Sequence, residues 1–486
     1  MRKTKIISTI GPSTRSIENL EKLIEAGCNV IRINMSHSNQ EDADALIQDI
    51  RTLTDEIAIL VDTKGPEVRT TNTTEPITLV EGQEVLIRGE SEDTTADCIY
   101  VSYAALPQVL NEGVSILIAD GQIELEVKAV EIAQLRCKII RGGILTSKKG
   151  VNIPGVKLPM PFLSEQDASD ITFAVRMNAD FIAASFVGDA NDVEQVRRLI
   201  DREGGSCRII SKIESQYAVD NLNNIIEVSD GIMVARGDLG VEIPAEKVPV
   251  AQKRMIDACR KAGRTVIVAT EMLESMIHNP RPTRAETSDV ANAIFEGADA
   301  VMLSGETSVG KYPFDTVRMM GRIATIAEEE AARRARTPAK GNLEGEVTEL
   351  ICKSAWFAAH ELDLKGILVP TSSGRTARRM SRFRPKAPIL ATTPDMATAR
   401  GLALSYGVYA LPARHYGRME SMVRRSCQVM LEAGFLKSTD MIAVAAGVPV
   451  GRTGSTNLLS LQKVSAVIGK SASEEAEQQE KRSTES

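Results

Sequence analysis

Short apolar runs alternate with amphipathic stretches along most of this chain. The runs are Lys5–Ile10, Val30–Asn34, Ile57–Asp62, Phe181–Phe186, Arg208–Lys212, Gly231–Ala235, Thr265–Thr270 and Ala300–Ser304. They are short and rich in β-branched residues, as strands buried on both faces are. Most are separated by about 20 to 30 residues, enough for one helix and two loops. Gly27, Gly263 and Gly297 each lie a few residues before a run, where a helix should stop. Eight such units predict an α/β chain built on a closed eight-stranded β/α (TIM) barrel. An open doubly wound sheet is the other architecture the pattern allows.

One interval breaks the rhythm. Between the third and fourth runs lie about 90 residues that alternate polar and apolar, in ITLVEGQEVLI, CIYVSY, SILIADGQIELEVKAV and LRCKII. Residues 70–158 are expected to form a small inserted all-β barrel, with a hairpin at Ala119-Asp120-Gly121. It leaves the barrel after a strand end, where it would act as a lid or be a passive insertion. Residues 1–69 and 159–345 would make the barrel, closing with a polar linker. Residues 346–470 read as a C-terminal α/β domain with strands at Gly366–Pro370, Pro388–Thr392, Val408–Pro412, Met441–Ala446 and Val464–Ile468. Helices are expected around Ile351–His360, Ala377–Phe383, Ala397–Leu404 and Ser421–Leu431. Residues 471–486 are almost free of apolar side chains and read as a disordered tail.

Composition narrows the function classes. The 65 acidic residues outnumber the 58 basic ones, which argues against nucleic acid as a partner. The seven cysteines form no CxxC or zinc spacing, so buried thiols in a reduced, cytoplasmic protein are expected. Four histidines leave little for histidine-based metal sites or triads. The N-terminal apolar stretch is too short for a signal peptide, and no run reaches membrane-spanning length.

Chemistry gathers at the C-terminal ends of the runs. Lys212 and Glu214 sit two apart and point the same way in extended chain; they suit an anionic substrate with a hard metal, or a plain surface ion pair. Arg32 and Asn34 should face the barrel mouth, with Ser36 and His37 in the loop after them. Asn34, Ser36, Asp62 and Thr63 offer hard oxygens with one formal charge, a set suited to a monovalent cation such as K⁺ or to ordinary strand-end capping. Asp238 lies in a Gly-rich turn that should open a helix, beside Glu214 on the neighbouring strand. The two carboxylates can share Mg²⁺ or Mn²⁺. Thr270 ends its strand with a hydroxyl able to donate or relay a proton. In the C-terminal domain, Thr371, Ser372, Ser373, Gly374 and Thr376 form either a phosphate cradle or a simple N-cap, and Arg452 lies in a Gly-rich loop able to close over a phosphate.

The segments KIISTIGPST, IRINMSHS, VDTKGPEVRT, KKGVNIPG, ASFV, SKIES, ARGDLGVE and NPRPTRAETSDVANAIFEGADAVMLSGET resemble the pyruvate kinase family, in order and over nearly the whole chain. The resemblance implies phosphoryl transfer from phosphoenolpyruvate to ADP, giving pyruvate and ATP. It implies Lys212 and Arg32 at the transferring group, and Gly237, Asp238 and Thr270 at the substrate carboxyl end. Glu214 and Asp238 would hold Mg²⁺ or Mn²⁺, while Asn34, Ser36, Asp62 and Thr63 would hold K⁺. Asn34, His37, Arg69 and Lys149 would contact the nucleotide. It further implies a homotetramer with a phosphorylated allosteric effector. With the chain stopping near residue 470 plus a tail, the extra C-terminal domain of some bacterial relatives is not expected. Three positions depart from the family pattern: Met35, Ser38 and Glu271. Glu67 matches members that need K⁺. Two rival readings are a Mg²⁺-dependent lyase or aldolase of similar substrates and a non-catalytic sugar-phosphate sensor.

Overall fold

In the computed structural model, residues 1–334, 346–414, 417–450 and 456–469 are described. Most of the expected linker RRARTPAKGNLEGE (333–346), Arg452 and the tail at 471–486 lie outside them. Eight parallel strands close into a barrel: Lys5–Thr9, Val30–Asn34, Ala58–Asp62, Phe181–Ala184, Arg208–Ile213, Gly231–Ala235, Thr265–Ala269 and Ala300–Leu303. Each pairs with its neighbour in the chain, and the first pairs with the eighth through Lys5 and Ala300. The strands are buried almost throughout because helices cover the outside and side chains fill the inside. Gly263 and Gly297 end their helices in the left-handed conformation, at φ 68° and 111°, which glycine adopts without steric cost.

The insert forms a seven-stranded sheet running from Val68–Arg69 to Cys98–Tyr100, plus a two-stranded ribbon. The two edges of the sheet meet through an isolated bridge between Thr70 and Val101, so the sheet curls towards a barrel. Its core, including Ile87, Ile99, Ile116 and Leu125, is separate from that of the large barrel. The hairpin forms at Ala119-Asp120-Gly121, with all three residues at positive φ.

A third sheet orders its strands as Val408–Pro412, Ile389–Thr393, Gly366–Pro370, Met441–Gly447 and Thr456–Lys463. Here one expectation fails. Val464–Ile468 is a helix, and the fifth strand is the mixed polar and apolar stretch Thr456–Lys463 before it, pairing antiparallel with Met441–Gly447. Val464 and Ile468 are four apart and both buried, which is helical spacing. Thr456–Lys463 is a half-exposed edge strand, so it lacks the continuous apolar run of a central one. Among the described residues, no helix is long and apolar enough to cross a membrane.

Candidate active site

Four charged side chains meet at the C-terminal mouth of the barrel, all nearly out of contact with solvent. Arg32 Nε donates to Asp62 Oδ2 at 2.6 Å. Lys212 Nζ lies 3.3 Å from Asp62 Oδ1 and 3.0 Å from Glu214 Oε1. Val30/Arg32, Leu60/Asp62 and Ile210/Lys212 share strand parity, so each charge stands above an apolar neighbour on the inward face. Arg32 is held further by Thr9, whose hydroxyl accepts from Nη1 at 3.0 Å.

Ser185, which the sequence did not single out, sits at the centre of this group. Its hydroxyl accepts from Lys212 Nζ at 2.7 Å and donates to the carbonyl of Thr63 at 2.7 Å. The only signal in the sequence was its place at a strand end, inside the ASFV segment.

Burial alone would push Lys212 down, but Asp62 and Glu214 outweigh it and its ammonium is held above the ordinary lysine value. Burial would likewise push Asp62 up; Arg32 and Lys212 reverse this and hold it ionised. Glu214 differs. Burial, reinforced by the charge of Asp238, pushes it up to about 7 even though Lys212 opposes the shift. Glu214 Oε2 accepts from the backbone N–H of Phe186 at 2.6 Å. Oε1 is buried without a hydrogen bond: Lys212 is within ion-pair distance but not aligned to donate to it. A buried carboxylate with one oxygen left without a hydrogen bond and a second carboxylate charge nearby suits a cation. Among the described residues, no three His, Cys, Asp or Glu side chains gather round one point. Two carboxylates with open positions fit Mg²⁺, which keeps waters and substrate oxygens in its shell.

Asp238 lies in the first turn of the helix Arg236–Glu242. The backbone N–H of Gly237 donates to Thr270 Oγ1 at 2.8 Å, so these two are also brought together. Thr270 has φ 67°, a costly conformation for a β-branched residue and one that concentrates at functional sites. Asn34 Oδ1 accepts from the N–H of Ser36 at 3.2 Å, and Thr63 packs by Ser185, so the four oxygen donors expected for K⁺ lie on adjoining strand ends.

A cleft of about 420 Å³ separates the inserted sheet from this mouth. Arg69, Lys149 and Asp238 line it with Glu67 and Tyr217, whereas Asn34 and His37 do not. Arg69 pairs with Glu67 at 2.8 Å. Met35 is buried in the barrel's outer core, which accounts for an apolar residue there. Glu271 is exposed at φ 52°, on a groove shared with Arg236 and Asp289. In the C-terminal unit, Gly374 at φ 71° opens the helix Arg375–Ser381, and its N–H donates to Thr371 Oγ1 at 3.0 Å. The carbonyls of Ser372 and Ser373 accept from Thr398 and Arg378. Thr376 Oγ1 lies 2.6 Å from Thr456 Oγ1.

The model of "Pyruvate kinase, barrel domain" matches residues 1–317, and that of "Pyruvate kinase, alpha/beta domain" matches residues 349–462. The chain belongs to the pyruvate kinase family. It is 45% identical to the pyruvate kinase of Sporosarcina psychrophila over 97% of its own length and 82% of that protein. It is 45% identical to that of Geobacillus stearothermophilus, over 96% and 81%. A solved pyruvate kinase from Cryptosporidium parvum superposes with a TM-score of 0.87 at 38% identity, covering 95% of this chain and 96% of the other. As a member of this family, the chain is a phosphotransferase.

Proposed function

We propose that the mouth of the barrel transfers the phosphoryl group of phosphoenolpyruvate to ADP, yielding pyruvate and ATP. The observation that carries this reading is the buried layer of Arg32, Asp62, Lys212 and Glu214 beside Asp238, beneath a cleft lined by Arg69 and Lys149. A migrating phosphoryl group spreads negative charge over its oxygens, so catalysis is chiefly the placement of fixed positive charge. Lys212 supplies a point charge on a rigid strand and Arg32 a forked donor. Asp62 balances both charges and holds Arg32 by a hydrogen bond, while Ser185 holds Lys212. Glu214 and Asp238 would hold Mg²⁺ or Mn²⁺, and Asn34, Ser36, Asp62 and Thr63 would hold K⁺. Those ions would supply positive charge to the phosphate and carboxylate oxygens of the bound substrates.

The backbone of Gly237 and Asp238 and the hydroxyl of Thr270 would orient the substrate carboxylate. Thr270 would also pass a proton, through water, to the carbon of the enol left after transfer; a hydroxyl alone is too weak an acid. Arg69 and Lys149 would meet the nucleotide from the lid side of the cleft, and Asn34 and His37, outside the cleft lining, would meet it at and beyond the end of the second barrel strand. Thr371–Thr376, with Arg452, would take a phosphorylated effector. The working form would be a cytoplasmic homotetramer in which that effector shifts affinity for phosphoenolpyruvate.

A coupled assay for pyruvate, run with and without ADP, tests the reading. ADP-dependent pyruvate formation is expected. Pyruvate formed equally without ADP would favour a lyase or phosphatase, and no pyruvate at all would favour a sensor.

A further inference from the structure

One side chain inside the barrel comes from outside it. Leu404, 1% exposed, belongs to the apolar cluster that fills the barrel, together with Leu60, Phe181, Ile210 and Met233. It lies in the turn between the helix Met396–Arg400 and the strand Val408–Pro412 of the C-terminal sheet. The turn and its flanks are tied to the barrel on several sides. Arg400 Nε donates to Asp180 Oδ1 at 2.8 Å, Gly407 N–H to the carbonyl of Lys3 at 2.9 Å, and Lys5 Nζ to the carbonyl of Val408 at 2.5 Å. Asp180, Lys3 and Lys5 all lie at the N-terminal ends of barrel strands, opposite the charged mouth. The C-terminal unit thus closes the floor of the barrel, with Leu404 as the plug.

Above the plug, the inward faces run from apolar to charged in steps of two residues: Leu60 to Asp62, and Ile210 to Lys212. Protein interiors are packed as densely as organic crystals, so a change of volume at one level is felt at the next. We propose that Leu404 is a positioning residue for phosphoryl transfer, filling the barrel floor so that the apolar layer carrying Asp62 and Lys212 stays in register with the substrate. The inference rests on the functional reading above. Truncating Leu404 leaves every charged group chemically intact but lets the layer beneath it relax. Small misplacements of reacting groups cost rate more than binding. The cleft residues Arg69 and Lys149 lie outside the affected stack.

The test compares full-length wild type with Leu404→Ala, Leu404→Met and Leu436→Ala, assayed well below each melting temperature. Leu436 is buried in the cluster on the other face of the C-terminal sheet and controls for general loosening. Leu404→Ala is expected to lower kcat about tenfold with the KM for ADP unchanged. Leu404→Met, which restores volume, should return kcat to within about twofold of wild type. Leu436→Ala should lower the melting temperature and leave kcat within about twofold. If Leu404→Ala does not fold, Leu404→Val should show an intermediate loss of about threefold. Wild-type kcat in a folded Leu404→Ala or Leu404→Val overturns the proposal. So does a Leu404→Met as impaired as the alanine variant, or an equal kcat loss in Leu436→Ala. A wild type that makes no pyruvate from phosphoenolpyruvate and ADP would instead sink the functional reading.

Discussion

Lys212 Nζ sits closer to the hydroxyl of Ser185, at 2.7 Å, than to either carboxylate that balances its charge. Because Ser185 donates its own proton to the carbonyl of Thr63, its oxygen is left as an acceptor facing the ammonium. The carboxylates set the charge state of Lys212, and the serine sets its direction. A lysine on four flexible methylenes needs such an anchor to act as a fixed point charge.

Replacing Ser185 with alanine removes that anchor without touching any charge. The lost hydrogen bond to a charged donor corresponds to about 1.5 kcal/mol, or roughly tenfold in rate if it is felt only in the transition state. Steady-state kinetics should show kcat reduced by about that factor and the KM for ADP unchanged. An unaltered kcat would show that Asp62 and Glu214 suffice to aim the lysine.

Lys212→Met removes the charge itself. Turnover should fall by at least about 10²–10³, the cost of losing one preorganised donor at a developing anion. Binding of phosphoenolpyruvate in the presence of Mn²⁺ should stay measurable by calorimetry, because Arg32, Asp238 and Gly237 remain. Glu214 would lose the cation beside it, so the melting temperature should fall as well. A Lys212→Met enzyme with normal turnover would remove the lysine from the mechanism.

The barrel was legible because its strands are buried on both faces and read as uninterrupted β-branched runs ending in polar residues. The spacing of Lys212 and Glu214 alone also allowed a surface ion pair; they stood out because polar residues recur at the ends of several such runs. Other features had no such signature. Val464–Ile468 is a five-residue, mostly apolar run, too short for periodicity to separate helix from strand. Leu404 was expected at the end of a helix, but the helix stops at Arg400 and the remaining residues turn into the barrel floor. Its partners are more than a hundred residues away in sequence, and no local pattern encodes that. Ser185 fails for the same reason: a serine at a strand end looks like a cap until its lysine neighbour is placed beside it.

Ion dependence follows from the oxygen donors at the mouth. Both Asp62 oxygens already face cationic side chains, so Asn34, Ser36 and Thr63 must supply most of any K⁺ coordination. Replacing K⁺ with tetramethylammonium at constant ionic strength should slow turnover at least about tenfold, since a bulky cation cannot enter such a site. Chelating divalent ions should reduce turnover to background, because Glu214 and Asp238 would then repel each other and the substrate phosphate. Equal rates with and without K⁺ would refute the monovalent site, while persistent activity in excess chelator would refute the divalent one.

Lys5 gives a prediction about stability that is independent of catalysis. It is buried where the barrel floor meets the C-terminal sheet, with its ammonium 4.5 Å from the ring centre of Tyr409. Burial, reinforced by the nearby charge of Arg2 and only partly offset by Glu328, pushes it down to about 7 from the ordinary 10.5. Between those two values the unfolded chain holds a proton that the folded chain has released, so stability should rise with pH across that window. The penalty is fully present below about pH 7 and gone above about 10.5, and its upper bound is roughly 5 kcal/mol. Lys5→Met carries no such penalty. Its melting temperature relative to wild type should therefore be highest near pH 6.5 and decline steadily towards pH 9.5, as the cost of keeping Lys5 neutral in the folded wild type shrinks. Melting curves that stay parallel for the two proteins across that range would show that Lys5 keeps its proton in the folded state, compensated by Tyr409, Glu328 and the carbonyl of Val408.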